Sequence, residues 1–267
     1  MFGTTPQSGN PLAVVADGTG LTDEEMQRFA NWTNLSETTF LLPPTDTDAD
    51  YRVRIFTTTG ELPFAGHPTL GSCQVWLDQG GVPHHDGFIV QECGVGLVRL
   101  RRQDGRLAFG APERVRSGPV DEALRHRIER TLHSEVVDVA WADNGPGWVV
   151  ALLPSADQVL ALEPDFGGTL DLKLGVVGPS GADEGHDVEV RAFFPGPDSM
   201  QEDPVTGSLN ASVAQWLMER DPTIRSYTAR QGTALGRHGL VHLDRDGDGV
   251  IWVGGSVTTV IAGIAHL

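Results

Sequence analysis

The amino-acid sequence predicts an α+β fold of two similar halves, in each of which β-strands wrap around one mostly buried helix. Three observations support this prediction. The chain contains an internal repeat. Its 33 glycines and 17 prolines are typical of many short strands joined by turns. Its 267 residues suit one large domain or two domains of medium size.

The internal repeat is the strongest of these signals. Segment 51–77 aligns with segment 188–217, and segment 96–107 aligns with segment 239–250. Self-similarity of this kind predicts two copies of one structural unit. The aligned pairs are Arg54 with Arg191, Phe56 with Phe193, His67 with Asp203, Pro68 with Pro204, Gly71 with Gly207, and Ser72 with Ser208.

The repeat also sets the predicted domain limits. We place the first half at 1–117 and the second half at 118–267. A C-terminal strand at about 256–267 is expected to complete the first half.

The segment before the first repeat predicts a helix and a strand. Thr22 with Glu25 three residues later forms a capping box at the start of the helix. The strand follows in "NLSETTFLL" (34–42) and carries Glu37 among apolar neighbours. A charge in such surroundings is costly unless it has a partner, although an exposed glutamate at a strand end is the simpler interpretation.

Each repeat predicts the same succession of elements. An alternating strand such as 51–56 is followed by a polar loop and a helix that starts near Pro68 or Pro204. Proline suits the first helical position, so His67 and Asp203 are predicted at the N-cap. A β-meander follows, with tight turns such as 103–105.

The two helix starts together suggest an anion site. A helix N-terminus presents unpaired amide donors, and nearby glycines allow a ligand close to the backbone. Ordinary capping by His67 and Asp203, with Ser72 and Ser208 bonded to carbonyls, is the alternative. The repeat, and the poor capping ability of histidine, favour a site. Its groups for proton handling and orientation are His67, Asp203 and Ser208.

Composition argues against several classes of function. The net charge of −17 disfavours nucleic acid as a partner. No signal peptide is evident, and no apolar run approaches the roughly 18 residues of a membrane span, so we expect a cytoplasmic protein. Cys73 and Cys93 do not make a disulfide framework. A two-thiol racemase is also disfavoured, because the helix starts carry His67 and Asp203 in place of cysteines.

No metal site is predicted. The stretch 244–255 has acidic residues spaced as in a calcium loop, but Gly255 stands where a bidentate glutamate is needed, and the repeat predicts a hairpin turn there. The stretches 84–86 and 186–187 contain histidines in Gly/Pro-rich sequence and are interpreted as solvated loops.

Six motifs along the chain resemble those of the PhzF-like phenazine-biosynthesis family. They are "GNPLAVV" (9–15), "NLSETTF" (34–40), "ELPFAGHPTLGS" (61–72), "DNGPGWVV" (143–150), "EDPVTGS" (202–208) and "RQGTALGR" (230–237). The resemblance implies a fold similar to diaminopimelate epimerase, an active site in the cleft between the halves, and a homodimer.

The resemblance also implies roles for individual residues. Glu37 occupies the position of the family's general acid/base, and His67, Asp203 and Ser208 match its other active-site positions. Substrate-binding roles are predicted for Gly66, Ser72, Asn144, Gly145 and Gly207.

The predicted function is that of an isomerase that shifts a proton between carbons of a small anionic substrate, without a metal or organic cofactor. In the phenazine enzyme the reaction is an allylic isomerisation of an anionic cyclohexadiene. Two alternatives remain. An epimerase or racemase needs a second base, for which His67 or Asp203 is available. A non-catalytic small-molecule binding protein on the same fold is the other.

Overall fold

The computed structural model describes residues 1–167, 172–196 and 199–267. These residues form a mixed α+β fold with two compact units. Unit 1 comprises Met1–Gly110 and Gly254–Leu267, and unit 2 comprises Ala111–Val253. The boundary predicted at residue 117 stays a prediction.

Unit 1 is a sheet with two helices. Its strand order is β1-β2-β3-β5-β6-β7, with β4 paired to β3, and α2 contacts β1, β2 and β3 at one end of that order and β7 at the other. The sheet therefore wraps around α2, as predicted. The elements are β1 Ala13–Val15, α1 Asp23–Thr33, β2 Thr38–Leu42, β3 Tyr51–Phe56, β4 Glu61–Leu62, α2 Gly66–Asp78, β5 Ile89–Cys93, β6 Gly96–Gln103 and β7 Arg106–Gly110.

Unit 2 follows the same plan with added elements. Its strand order is β16-β15-β14-β12-β11-β10-β9-β8, with β13 paired to β12, and α5 contacts β9, β10 and β15. The elements are β8 Arg116–Pro119, α3 Glu122–Leu132, β9 Asp138–Asp143, β10 Trp148–Leu152, α4 Ala156–Leu160, β11 Lys173–Pro179, β12 Val188–Pro195, β13 Met200–Asp203, α5 Gly207–Arg220, a 3-10 turn at Thr233–Leu235, β14 Ser226–Gln231, β15 Gly239–Arg245 and β16 Ile251–Gly255.

Strand pairing confirms the repeat in the order of the strands, but the predicted alignment of the helix starts is wrong: Glu61 pairs with Phe56 as Glu202 pairs with Phe193, so Gly66, and not Gly71, corresponds to Gly207. In unit 1, β3 pairs antiparallel with β4 and parallel with β5, the strand that follows α2. In unit 2, β12 pairs antiparallel with β13 and parallel with β14, the strand that follows α5. A parallel pair needs a crossover connection, and the buried helix supplies it in both units.

The core of each unit surrounds its central helix. The first eight residues of α2 are all buried, and most of α5 is buried as well. Leu70 and Leu209 are fully buried on these helices, which is worth about 1.5–3 kcal/mol for each side chain. On β11, Gly175 faces Leu209, and a Cβ there would overlap the leucine side chain. Residue 175 must therefore be glycine to let α5 lie this close to the sheet.

The predicted helix cap and the two predicted hairpin turns are confirmed. Thr22 and Glu25 form the complete capping box of α1. The turn 103–105 joins β6 to β7, with positive φ at Asp104 and Gly105, as a two-residue hairpin requires. The predicted hairpin in 244–255 is also present, and the carboxylate of Asp246 accepts hydrogen bonds from the main-chain amides of its turn.

The predicted helix starts are wrong. Helix α2 begins at Gly66 with Ala65 as its N-cap, so His67 is the second helical residue. Helix α5 begins at Gly207 with Thr206 as its N-cap, so Asp203 ends strand β13. For α5, the helix starts later than predicted because β13 pairs with β12 through Asp203 opposite Ala192, and this pairing keeps the backbone extended.

The prediction of a solvated loop at 186–187 is wrong for His186. Its ring is buried, with Nε2 3.4 Å from Glu184 Oε2 and 3.6 Å from Glu189 Oε2. Glu189 is buried too and accepts a 2.7 Å hydrogen bond from Arg230. Both carboxylates are close to His186 in sequence, two residues before it and three residues after it, so the contacts are local, and the burial of the ring is what the sequence did not reveal.

Candidate active site

Glu37 and His67 lie together in unit 1. Glu37 directly precedes β2, and His67 stands in the first turn of α2. The atoms His67 Nε2 and Glu37 Oε2 are 3.0 Å apart, and the side chains are 5% and 15% exposed. The sequence places the two residues 30 positions apart, and the packing of α2 on β2 brings them into contact.

The contact between these side chains lacks hydrogen-bond alignment. Although the two atoms are close and buried, neither completes an aligned hydrogen bond with any described protein group. We therefore describe the pair as a close contact between an imidazole and a carboxyl group. Catalytic groups are often poorly aligned without substrate and align only when it binds.

Ser72 links the same two elements. It is fully buried, and its hydroxyl donates a 2.9 Å hydrogen bond to the hydroxyl of Thr39. Thr39 lies on β2, two residues after Glu37. Gly66, the first residue of α2, is also buried. The structure therefore places Ser72 where it holds the helix of His67 against the strand that Glu37 precedes.

The other predicted residues lie in unit 2, around the start of α5. Gly207 and Ser208 are the first two residues of that helix. Asn144 Nδ2 donates a 3.0 Å hydrogen bond to the carbonyl oxygen of Ser208. Gly145 neighbours Asn144 in the loop between β9 and β10, with φ of +127°, a conformation that favours glycine.

The loop between β9 and β10 is held by Asp143. Its carboxylate accepts hydrogen bonds from the amides of Gly145 at 2.8 Å and Gly147 at 2.6 Å. The loop is thereby closed on itself, and Asn144 is directed towards α5. Trp148, the first residue of β10, reaches the same helix start from the end of this loop.

Trp148 determines how Ser208 can interact. Its indole Nε1 donates a 3.0 Å hydrogen bond to Ser208 Oγ. An indole nitrogen is only a donor, so the serine oxygen acts as acceptor in this contact. The serine O–H is then left to donate to an acceptor, such as a carboxylate or carbonyl oxygen.

Asp203 is fixed by a neighbouring threonine. Thr206 Oγ1 donates a 2.5 Å hydrogen bond to Asp203 Oδ2. Thr206 uses its hydroxyl in this way and does not cap α5. Ala65, the N-cap of α2, has no polar side chain with which to cap its helix. First-turn amides of both helices therefore lack a side-chain acceptor at the N-cap.

The structure thus brings the predicted residues together in two groups. Glu37, His67, Gly66 and Ser72 gather in unit 1, and Asp203, Ser208, Gly207, Asn144 and Gly145 gather in unit 2. Sequence reasoning missed Trp148, Thr206 and Gln231, which contact the second group. Each of these three lies inside a quoted motif, "DNGPGWVV", "EDPVTGS" or "RQGTALGR", and this was the available signal.

A separate groove of about 580 Å³ lies along α1 in unit 1. Part of its charged lining is paired, because Arg54 binds both Asp23 and Glu61. The groove contains neither Glu37 nor His67, so we do not place the chemistry there. Within the described parts of the chain, no helix has the length and apolar character that a membrane crossing needs.

Comparison with known proteins gives a consistent result. A family model described as "Phenazine biosynthesis-like protein" matches residues 1–263. The chain is 36% identical to Antisense-enhancing sequence 1 of Schizosaccharomyces pombe, over 96% of this chain and 93% of that protein. It is 33% identical to the trans-2,3-dihydro-3-hydroxyanthranilate isomerase of Pseudomonas aeruginosa, over 100% of this chain and 97% of the isomerase.

A solved structure agrees in fold. The crystal structure of a putative phenazine biosynthesis PhzC/PhzF protein from Clostridium difficile matches with a TM-score of 0.79 at 23% identity. The match covers 100% of this chain and 96% of the other. At this identity the likeness establishes the architecture and leaves the activity to be argued from the site.

Proposed function

Because the chain belongs to the phenazine biosynthesis-like family, we propose that it is an isomerase in which Glu37 moves a proton between two carbons of a small cyclic carboxylate. The observation that carries the proposal is the contact of Glu37 with His67. Both side chains are largely shielded from water, and both contact atoms are uncommitted to an aligned hydrogen bond.

The chemistry follows from the position of Glu37. A carbon acid needs a base that is placed close to the C–H bond and protected from bulk water. The Glu37 carboxylate removes a proton from one carbon, and the electron pair moves through the adjacent double bond. The resulting carboxyl returns the proton to the carbon at the other end of the allylic system. No oxidant, metal or organic cofactor enters this balance, because one group both takes and returns the proton.

We assign to His67 the role of stabilising the negative charge that develops on the substrate during the proton transfer. Its ring lies next to the carboxylate that removes the proton, so it can donate to a substrate oxygen bearing negative charge. Donors already in place at the site of developing charge lower the barrier without reorganising.

The unit 2 group suits the recognition of a carboxylate. The amides of Gly207 and Ser208 at the start of α5 and the serine hydroxyl oriented by Trp148 are donors. A carboxylate at a helix N-terminus is favoured by the same unpaired amides and by the helix dipole. Asp203 is proposed to hold a polar substituent of the ring. The proposal requires the two groups to meet at one interdomain cleft in a small-molecule complex.

The substrate to try first is the one that a relative's name supplies. The Pseudomonas aeruginosa relative is named for trans-2,3-dihydro-3-hydroxyanthranilate, a cyclic diene carboxylate. The chain is incubated with this compound in H₂O and in D₂O, and the products are followed by proton NMR. We expect isomerisation with deuterium at the carbon that receives the proton.

Two variants make the test specific. Glu37→Gln keeps the size of the side chain and removes the proton carrier, so turnover should fall by about 100-fold or more. Glu61→Gln removes a carboxylate elsewhere in unit 1, and its turnover should stay near that of the native chain. Full activity of Glu37→Gln would refute the proposed role.

A panel of cyclic and aromatic carboxylates extends the test if the first compound is not turned over. Bound ligand raises the unfolding temperature by mass action, so thermal shifts select candidates for the D₂O assay. Inversion with deuterium at one carbon would identify an epimerase. Binding of such compounds without any deuterium uptake would identify a non-catalytic binding protein. The homodimer and the cytoplasmic location stay predictions.

A further inference from the structure

A buried glutamine, Gln231, anchors the start of α5. It is the last residue of β14 and is fully buried. Its Nε2 donates 3.0 Å hydrogen bonds to Thr206 Oγ1 and to the carbonyl oxygen of Asp203. Its Oε1 accepts from Thr206 N at 3.0 Å and from Asn210 Nδ2 at 2.8 Å. A carboxamide has two N–H donors and two acceptor lone pairs, so all its hydrogen-bonding capacity is used here and the orientation of the amide is fixed.

The fixed amide determines the direction of the next hydrogen bond. Because Thr206 Oγ1 accepts from Gln231, its single proton is available for Asp203, whose Oδ2 lies 2.5 Å away. The result is a relay of donors from amide to hydroxyl to carboxylate. A short hydrogen bond to an ionised carboxylate is about twice as strong as a neutral one. The relay therefore favours the charged form of Asp203 and restrains its rotation.

Unit 1 contains a related relay at a different helix position, because Thr69 is the fourth residue of α2, as Asn210 is of α5, whereas Thr206 is the N-cap of α5. Gln91 is fully buried on β5, the counterpart of β14, and its Nε2 donates a 3.0 Å hydrogen bond to Thr69 Oγ1. Thr69 Oγ1 in turn donates a 2.9 Å hydrogen bond to the carbonyl oxygen of Ala65, the N-cap of α2. Here the last acceptor is a main-chain carbonyl.

The hydrogen bonds at the two helix starts share one structural role and differ in their last acceptor. In both units a glutamine and a threonine fasten the start of the buried helix to a strand, which is a structural task. The described residues form one such relay at each of the two helix starts. Of these two, only the relay of unit 2 ends on a side-chain carboxylate. Unit 2 already has the main-chain bond of unit 1, because Asn210 Nδ2 donates a 2.9 Å hydrogen bond to the carbonyl oxygen of Thr206, so the bond to Asp203 is additional.

We propose that Gln231 and Thr206 are positioning residues that hold Asp203 charged and aimed during catalysis. The proposal rests on the proposed isomerase function, in which Asp203 contacts the substrate. Neither residue touches substrate itself, so each acts through Asp203.

The first test needs no substrate. The carboxyl carbons of aspartate are labelled with ¹³C, the Asp203 signal is assigned with Asp203→Asn, and the signal is titrated by NMR. Thr206→Val removes the hydroxyl at nearly constant volume. The titration midpoint of Asp203 should rise by about one to two pH units, since hydrogen bonds favour the charged form. Thr206→Ser should restore the native midpoint.

Controls separate this effect from loss of fold. Thr69→Val removes a hydroxyl that a buried glutamine also binds in unit 1 and should leave the Asp203 midpoint in place. Gln231→Met removes the amide donors at similar volume and adds no charge, so it should also raise the midpoint if Thr206→Val fails to fold. An unchanged midpoint in the folded variant of unit 2 would overturn the proposal.

Kinetics with trans-2,3-dihydro-3-hydroxyanthranilate complete the test. Thr206→Val should lower kcat about tenfold to a hundredfold with a smaller change in KM, and the acidic limb of the pH profile should move to higher pH. If the midpoint shifts while Glu37→Gln stays fully active, the relay stands and the isomerase function fails. If Glu37→Gln is inactive while the midpoint is unmoved, the function stands and the positioning role fails.

Discussion

Glu202→Gln and Glu61→Gln are matched substitutions at equivalent salt bridges. Both guanidinium groups bind their glutamate through two nitrogens, at 2.9 and 2.7 Å for Arg191 with Glu202 and at 2.8 and 2.7 Å for Arg54 with Glu61. Each arginine also lies over the phenylalanine two residues later on its strand. The repeat therefore places the same interaction in two environments.

The two salt bridges differ in burial and in the groups that remain bound to each arginine after the glutamate is replaced. The side chains of Arg191 and Glu202 are 8% and 11% exposed, against 16% for Arg54 and 42% for Glu61. Arg54 also binds Asp23 at 2.6 Å and keeps a carboxylate after the substitution. The further donor of Arg191 reaches the carbonyl oxygen of Leu162 at 2.8 Å, which cannot neutralise its charge.

The predicted losses follow from these differences. Removing one partner of a buried ion pair leaves an uncompensated charge and costs about 3 kcal/mol or more, so we expect about 3 kcal/mol for Glu202→Gln. A pair with an exposed member is worth at most about 1 kcal/mol, which sets the expectation for Glu61→Gln.

Urea denaturation, followed by tryptophan fluorescence and circular dichroism, measures both losses. With a slope of about 3 kcal/mol per M, the midpoint should fall by about 1 M for Glu202→Gln and by less than about 0.3 M for Glu61→Gln. Equal shifts for the two variants, or a larger shift for Glu61→Gln, would show that burial of the pair does not control its contribution.

Two further predictions concern single side chains. Trp148→Phe removes one neutral hydrogen bond to Ser208, so KM for trans-2,3-dihydro-3-hydroxyanthranilate should rise by up to about tenfold with a smaller change in kcat; an unchanged KM would contradict the orienting role. Burial raises the pKa of the Cys73 thiol to about 12, so iodoacetamide at pH 8 should modify the half-buried Cys93 first, and mass spectrometry should find Cys73 unmodified until urea is added. Equal labelling of both in the folded chain would be inconsistent with this burial.

The sequence predicted those features that neighbouring residues determine. The capping box of α1 and the turn at Asp104 and Gly105 depend on a few adjacent side chains and backbone angles. The repeat, read from spacing, predicted the order of strands and helices in both units. These signals are local or periodic, and packing need not be known to interpret them.

The features it missed depend on packing over long stretches of sequence. Gln231 contacts Thr206 from 25 positions away, and Trp148 contacts Ser208 from 60 positions away. The prediction for His186 was wrong because the next residue fastens its loop to β14: the Asp187 amide donates to the carbonyl oxygen of Thr228, and the Thr228 amide donates to Asp187 Oδ2. A polar residue in a Gly/Pro-rich stretch is therefore poor evidence for exposure when strands on either side can enclose it.

The two central helices differ in the number of free amides that their first turns offer to an anion. In α2 the third residue is Pro68, which has no N–H, so its first turn offers the amides of Gly66 and His67. In α5 the first turn offers three amides, from Gly207, Ser208 and Leu209. An anion therefore gains more donors at α5, where Trp148 also orients the serine hydroxyl.

The opposite holds for proton transfer. At α2 the second helical position carries an imidazole that lies against Glu37, whereas at α5 it carries a serine. In the proposed reaction, unit 1 therefore supplies the reactive acid and base, and unit 2 supplies the donors that hold the carboxylate of the substrate.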